Sequence, residues 1–202
     1  MTLGNSEEVI RLLDNKLDPY RGDDVILINA YRMQGETAEA NKVNQILLYN
    51  NVINTLTLLN NYLSLNMMES VLFEKIYSQC IQIIDSFQLK EIFTNDVFAI
   101  HIVAAQGYLI AENKEKAIDA LERYINTVCS IQFPLSFKEN EYFTHVGKWL
   151  EDNNFIGANT PVDEITIKKS FVDAVAINPA FEPLREDEKY NFLVKKLKRK
   201  VR

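Results

Sequence analysis

The sequence is poor in the residues that punctuate or cross-link a chain: its 202 residues include six glycines, five prolines and two cysteines. So few glycines and prolines argue against a turn-rich sandwich or barrel, while the abundance of Leu, Ile, Asn, Glu and Lys favours helices. With 47% apolar and 25% charged residues, the composition is that of an ordinary globular protein with a sizeable core. The sequence predicts an all-α fold.

The two cysteines, Cys80 and Cys129, each lie inside a helical pattern and form no CxxC pair. Neither a disulfide framework nor a zinc site is therefore predicted, and both thiols are expected to be inert core groups. The N-terminal segment MTLGNSEEVI has neither the basic nor the apolar part of a signal peptide. We expect a reducing, cytoplasmic location.

The chain is acidic except at its end: the formal net charge is −6, although six of the last eight residues are Lys or Arg, so the part before them has a net charge of −12. An acidic body without a basic stripe is a poor nucleic-acid surface. The basic tail could contact phosphate or anionic lipid, but cations at a C-terminal helix end also complement the helix dipole. We favour the second interpretation.

Catalytic and cofactor motifs are also lacking, since GxGxxG, GxxxxGK[ST], HExxH and GxSxG do not occur. The only histidines, His101 and His145, have no second ligand at helical spacing, so no metal site is predicted. His101 shares a helical face with Ala104, Ala105 and Tyr108, which predicts a core or groove-lining histidine. The sequence therefore predicts no enzyme activity and no cofactor.

Two predicted helical hairpins share a spacing of residues. In each, a tyrosine is followed by a turn residue four positions later and by an alanine nine positions later: Tyr31, Gly35 and Ala40 in the first, and Tyr108, Glu112 and Ala117 in the second. In stacked helical repeats such a tyrosine fills the space within one hairpin, and the alanine lies where the helices approach closely. The spacing predicts an irregular helical array.

One domain is predicted over residues 1–202, in three parts. Residues 1–66 give the first hairpin and an Asn-rich helix, and residues 67–130 a second set of helices. Residues 131–202 contain an aromatic region, with a short helix around 142–150 whose Phe143 and Trp149 pack on neighbouring helices, followed by C-terminal capping helices.

The Asn-rich helix has no charged residue between positions 43 and 68 but contains seven asparagines there, which argues against a membrane span. On a helix, one face carries Asn50, Asn54, Thr57, Asn61 and Ser64, and the other carries Leu48, Val52, Leu56, Leu59 and Leu63. Because carboxamides both donate and accept hydrogen bonds, a row of them can clamp the backbone of a peptide. The alternative is that this chain simply uses Asn on exposed helix faces, as in EDNNFIGAN.

The segment AINPAFEPLREDEKYNFLVKKLK resembles the closing unit of tetratricopeptide (TPR) arrays. The matching positions are Asn178, Pro179, Phe181, Leu184, Arg185, Asp187, Tyr190 and Leu193. Together with the repeated tyrosine spacing, the layout from Ser6 onward resembles the C-terminal sensor domain of Firmicutes-type helix-turn-helix transcriptional regulators of the Cro/CI-like (Xre) or a related class.

This resemblance implies a peptide or protein ligand in the helical groove, bound by Asn50, Asn54, Thr57 and Asn61, with His101 and Tyr108 as secondary candidates. It also implies a homodimer, contact with DNA only through a helix-turn-helix module, and no membrane partner. Such regulators carry that module before the sensor domain, whereas few residues precede the first predicted helix here. We therefore expect either an excised sensor domain or, alternatively, a stand-alone TPR-like adaptor; a small all-α enzyme is the least favoured function.

Overall fold

The computed structural model describes residues 5–13, 24–90, 92, 95–133, 137–152 and 163–201. These residues form nine α-helices and one 3₁₀-helix and contain no strand, which confirms the all-α class. The elements are α1 (Ser6–Leu13), α2 (Asp24–Gln34), α3 (Thr37–Leu65), α4 (Ser70–Ser86), α5 (Asn95–Ile110), α6 (Lys114–Ser130), α7 (Val146–Asp152), α8 (Glu164–Ala176), the 3₁₀-helix (Pro179–Leu184) and α9 (Glu188–Lys200).

The chain forms two compact units, which are described separately. The first comprises Met1–Asn54 and Glu139–Asn153, and the second comprises Thr55–Lys138 and Asn154–Arg202. Helix α3 contributes residues to both. The predicted single domain and the TPR-like stacking of its hairpins stay predictions.

In the first unit, α1 packs on α2, and the hairpin of α2 and α3 encloses a small core of Leu27, Tyr31, Ala40 and Val43. Phe143 is completely buried, and its ring meets that of Tyr49 edge to face at 5.5 Å between centroids. The predicted packing of Phe143 on a helix is therefore present.

The helix predicted around residues 142–150 begins later, at Val146. The side-chain oxygen of Asn140 accepts hydrogen bonds from the backbone N–H groups of Tyr142 and Phe143, at 3.0 and 3.1 Å. An asparagine that bonds its own following backbone in this way forms a turn that competes with a helix. This turn precedes α7 and explains the difference.

In the second unit, α5 and α6 form the most extensive helix pair, and α4 packs on α5 while α9 packs on α6. Small residues let the helices approach closely: at Gly107 of α5, an added Cβ would overlap the ring of Phe73 from α4. Helix α6 also contacts α8: the Tyr124 hydroxyl in α6 donates a hydrogen bond to the carbonyl oxygen of Phe171 in α8 at 3.0 Å.

Three helices end in the same turn, with one residue in the left-handed backbone region: Gly35 after α2 (φ 78°), Gln88 after α4 (φ 53°) and Glu112 after α5 (φ 57°). In each, two backbone N–H groups bond back to carbonyls of the last helical turn, as in the pair of 3.2 and 2.9 Å around Gly35. This is the Schellman motif, which satisfies the free carbonyls at a helix end. The repeated tyrosine spacing therefore corresponds to one turn conformation in both hairpins.

The C-terminal residues that resemble a TPR closing unit have structural roles. Asn178 caps the 3₁₀-helix by accepting from the N–H of Ala180, and Asp187 caps α9 by accepting from the N–H of Tyr190. Arg185 donates to the carbonyl oxygen of Ala176 at 2.8 Å. The apolar members of this segment are buried, namely Phe181, Leu184, Tyr190 and Leu193.

Candidate functional site

The apolar face predicted for the Asn-rich helix is present in α3. Val52, Leu56 and Leu63 are buried, and Leu48 and Leu59 are half-buried. The buried apolar face is therefore the one that the sequence predicts, and in the second unit the polar residues Thr57, Asn61 and Ser64 are exposed.

The predicted ligand-binding residues of α3 differ in exposure. In the first unit, Asn50 and Asn54 are half-buried. In the second unit, Thr57 and Asn61 are exposed, and the Thr57 hydroxyl donates a hydrogen bond to Oδ1 of Asp96 at 3.0 Å. Asn61 is thus the member of the set whose amide is most open to solvent, and the ligand-binding role of all four stays a prediction.

A row of exposed apolar side chains lies beside Asn61, and sequence reasoning missed it. Its members, called the apolar row below, are between 47% and 82% exposed: Leu58, Tyr62, Leu65, Met68 and Val71. The first three follow helical spacing in α3 and fall within about 60° of one another on the helix, Met68 is in the turn after α3, and Val71 is in the first turn of α4.

A helical projection of the sequence could have revealed this row. Leu58 and Leu65 project opposite the buried Leu56 and Leu63, so a helix with one apolar core face leaves them outside. The asparagines make this side of the helix polar only in part. The side facing solvent is mixed apolar and amide, without charge.

His101 lies in the interior of the second unit rather than on a surface. Its side chain is completely buried, its Nδ1 is 3.1 Å from the Tyr77 hydroxyl oxygen, and its Nε2 has no hydrogen-bond partner among the residues that the structure describes. Burial lowers the pKa of His101 to about 4, and the nearby positive charges of Arg123 and Lys90 act in the same direction. The imidazole is therefore neutral at pH 7.

Tyr108 is also buried, and its hydroxyl donates a hydrogen bond to Oε2 of Glu74 at 3.0 Å. Lys116 forms an ion pair with the same carboxylate and stands 5.5 Å above the Tyr108 ring. Burial, followed by the bond to Glu74, raises the pKa of Tyr108. Tyr77 meets the rings of both His101 and Tyr108 edge to face, so the structure brings these two predicted residues together as part of a packed core. Their predicted contact with a ligand stays a prediction.

Reactive groups are few in the part of the chain that the structure describes. Cys80 and Cys129 are free thiols, and burial raises the pKa of Cys80 to about 11, which disfavours the reactive thiolate. Within the described ranges, no three His, Cys, Asp or Glu side chains are grouped to hold a metal ion. Nor does any described helix combine the length and apolar character needed to cross a membrane.

Comparisons with protein-family models, with curated proteins and with solved structures found no match to this chain.

Proposed function

We propose that this chain is a non-catalytic helical module that binds a peptide or protein, and that its contact surface in the second unit is the apolar row together with Asn61. The observation that carries the proposal is the exposure of five large apolar side chains over 14 residues, Leu58 to Val71. Leu58, Tyr62 and Leu65 share one helix face, and exposed apolar residues grouped in this way are typical of protein interaction sites, whereas single exposed apolar residues are normal.

The free energy of binding to the row depends on the number of side chains that a partner would cover. Fully burying one Leu, Val or Met side chain contributes about 1.5–3 kcal/mol. A partner that covered Leu58, Leu65 and Met68 would gain several times this amount before the entropy cost of association. An amphipathic helix fits such a row well, because its own apolar side chains repeat at the same helical spacing.

The lack of charge along the α3 part of the row supports a partner with an apolar, weakly charged face. Residues 43–68 carry no ionisable acid or base other than tyrosine, so Leu58, Tyr62, Leu65 and Met68 can be covered without removing an ion from water, and the exposed Glu69 is the charged residue between Met68 and Val71. The exposed Asn61 amide, adjacent to Leu58 and Leu65 on the helix, can donate to or accept from a partner's backbone. Such a hydrogen bond would fix the orientation of the partner on an otherwise apolar surface.

The more specific part of the proposal is that the module is the sensor domain of a bacterial transcriptional regulator. It is supported by the resemblance of residues 178–193 to a TPR closing unit and by the repeated hairpin spacing. A stand-alone TPR-like adaptor has the same support from the sequence. An in-frame helix-turn-helix module encoded upstream in the gene would favour the regulator, and a start signal for translation directly before Met1 would favour the adaptor.

The binding function can be tested without knowing the natural partner. A random peptide library displayed on phage would be selected against the immobilised chain and then counter-selected against the double variant Leu58→Ser, Leu65→Ser. We expect enriched peptides with apolar residues at helical spacing that bind the wild-type chain and not the variant. Peptides that bind both proteins equally would contradict the proposed surface.

A further inference from the structure

A second candidate site lies in the second unit, in a groove between α8 and the C-terminal end of α9, with a volume of about 440 Å³. Three aliphatic side chains line it: Ile165, Val172 and Val201. Val201 is buried, Val172 is half-buried and Ile165, in the first turn of α8, is 79% exposed. The groove therefore has an apolar floor and an apolar residue at its rim.

The charged groups lining the groove are the lysines Lys168, Lys169 and Lys198 and one acid, Asp173. Lys168 is already engaged, since it forms an ion pair with Glu164 at 2.7 Å and lies 4.9 Å from the centre of the Phe133 ring. Among the residues that the structure describes, no ion pair involves Lys169 or Lys198. In a chain of net charge −6, this groove carries an excess of positive charge.

We propose that the groove binds a small anionic amphiphile, an aliphatic carboxylate, with its chain on Val172 and Val201 and its carboxylate between Lys169 and Lys198. The volume lies within the roughly 300–1,000 Å³ typical of small-molecule sites. An inorganic anion would not use the aliphatic side chains of the groove, and an uncharged chain would not use its lysines. The lining therefore favours a ligand that has both a negative charge and an aliphatic chain. This site is independent of the apolar row.

The test is isothermal titration calorimetry of the full chain with dodecanoate below its micelle concentration. We expect saturable binding at one site, and binding at least about ten-fold weaker for dodecanol, which lacks the charge, and for acetate, which lacks the chain. Equal affinity for dodecanol, or no saturable binding of dodecanoate, would overturn the proposal. Vesicles that contain anionic lipid are titrated in parallel. Binding to the vesicles without binding of dodecanoate would also overturn the proposal, because it would indicate a membrane surface instead of a ligand site.

Variants with matched controls locate the ligand. The double variant Lys169→Gln, Lys198→Gln should bind dodecanoate about ten-fold more weakly, whereas Lys195→Gln, Lys200→Gln, with the same change of charge on exposed positions of α9 outside the groove, should bind like wild type. Equal losses in both double variants would mean that only the general positive charge of the C-terminus acts.

The rim residue gives a second pair of variants. Ile165→Ser should weaken dodecanoate binding and leave the weak binding of acetate unchanged, whereas Ile177→Ser, an exposed position of the same segment outside the groove, should change neither. All the substituted side chains are exposed, so circular dichroism should show an unchanged fold. A loss of affinity in Ile177→Ser equal to that in Ile165→Ser would contradict the proposed position of the chain.

Discussion

The Tyr77 hydroxyl oxygen and Nδ1 of His101 lie 3.1 Å apart in the interior of the second unit, and this hydrogen bond holds a neutral imidazole in an apolar core. No residue that the structure describes forms a hydrogen bond with His101 Nε2, so protonation would place a poorly compensated charge in the interior. The pair therefore contributes to packing at neutral pH and becomes costly when the solution turns acidic.

The first prediction concerns the pH dependence of stability. The pKa of His101 is about 4 in the folded chain, below the value of 6.5 for an unperturbed histidine, so between these values protons bind preferentially to the unfolded chain. The free energy of unfolding should fall by about 2 kcal/mol from pH 7 to pH 5 through this group, and the group should have no effect above pH 7.

Urea denaturation at both pH values measures this effect, with His101→Gln and His145→Gln compared. His145 is exposed and serves as the matched control. The His145→Gln chain should lose stability like wild type, and His101→Gln should lose about 2 kcal/mol less than wild type. The same pH dependence in all three chains would show that other groups cause it.

The second prediction concerns the turns that end α2 and α5. Glu112 is exposed and has a left-handed backbone that costs a non-glycine residue about 1 kcal/mol, so Glu112→Gly should raise the free energy of unfolding by up to about that amount. Gly35→Ala should lower the free energy of unfolding by about 1 kcal/mol, because alanine is strained in the left-handed conformation that Gly35 adopts.

Gln79→Gly is the control for the turns, since Gln79 is exposed inside α4 and glycine there should cost about 1 kcal/mol. Thermal unfolding of the three variants would show whether each substitution raises or lowers the stability of the chain. A loss of stability in Glu112→Gly equal to that in Gln79→Gly would mean that the turn conformation contributes nothing.

The third prediction concerns the close approach of α4 and α5. A Cβ at position 107 would overlap the buried ring of Phe73, so Gly107→Ala should destabilise the chain by about 1–3 kcal/mol. Adding Phe73→Leu should recover part of the loss, because the shorter side chain vacates the overlapping space. If the double variant were less stable than the sum of the single effects, the overlap would not be the cause.

The fourth prediction separates the two explanations of the asparagine face. Asn61 is exposed within a helix, and alanine is the better helix former, so Asn61→Ala should raise the free energy of unfolding by about 0.5 kcal/mol. If Asn61 is part of the binding surface, the same change should weaken the binding of a selected peptide. A gain in stability with unchanged peptide affinity would favour the alternative that this chain merely uses Asn on exposed helices.

Local chemistry accounts for the parts of the fold that the sequence predicts well. The glycine at position 35 predicts a turn because it adopts a left-handed backbone without strain, and the turn before Lys114 is equally visible from its polar residues. The start of α7 was predicted four residues early, because the side chain of Asn140 bonds the following backbone and helical periodicity does not register such a turn.

The candidate site was harder to predict because exposure depends on which other segments cover a helix. The burial of Leu56 and Leu63 followed from their spacing, but the same residue type at positions 58 and 65 remains exposed. His101 and Tyr108 share a helical face in the sequence, yet only the packing of Tyr77 and Glu74 against them shows that they belong to an interior network. Similarly, the sequence alone does not show that Lys168 and Lys169 of α8 line the same groove as Lys198 of α9.

The affinity of a selected peptide for two matched double variants tests the central claim most directly. Leu58→Ser, Leu65→Ser removes two members of the apolar row, and Ile177→Ser, Phe192→Ser removes apolar side chains that are 65% and 66% exposed elsewhere in the second unit. Fluorescence anisotropy should show that the first variant binds at least about ten-fold more weakly than wild type, because it lacks two exposed leucines that the bound peptide would cover, and that the second binds like wild type. Equal affinities for the wild-type chain and the Leu58→Ser, Leu65→Ser variant would contradict the claim that the apolar row is a binding surface.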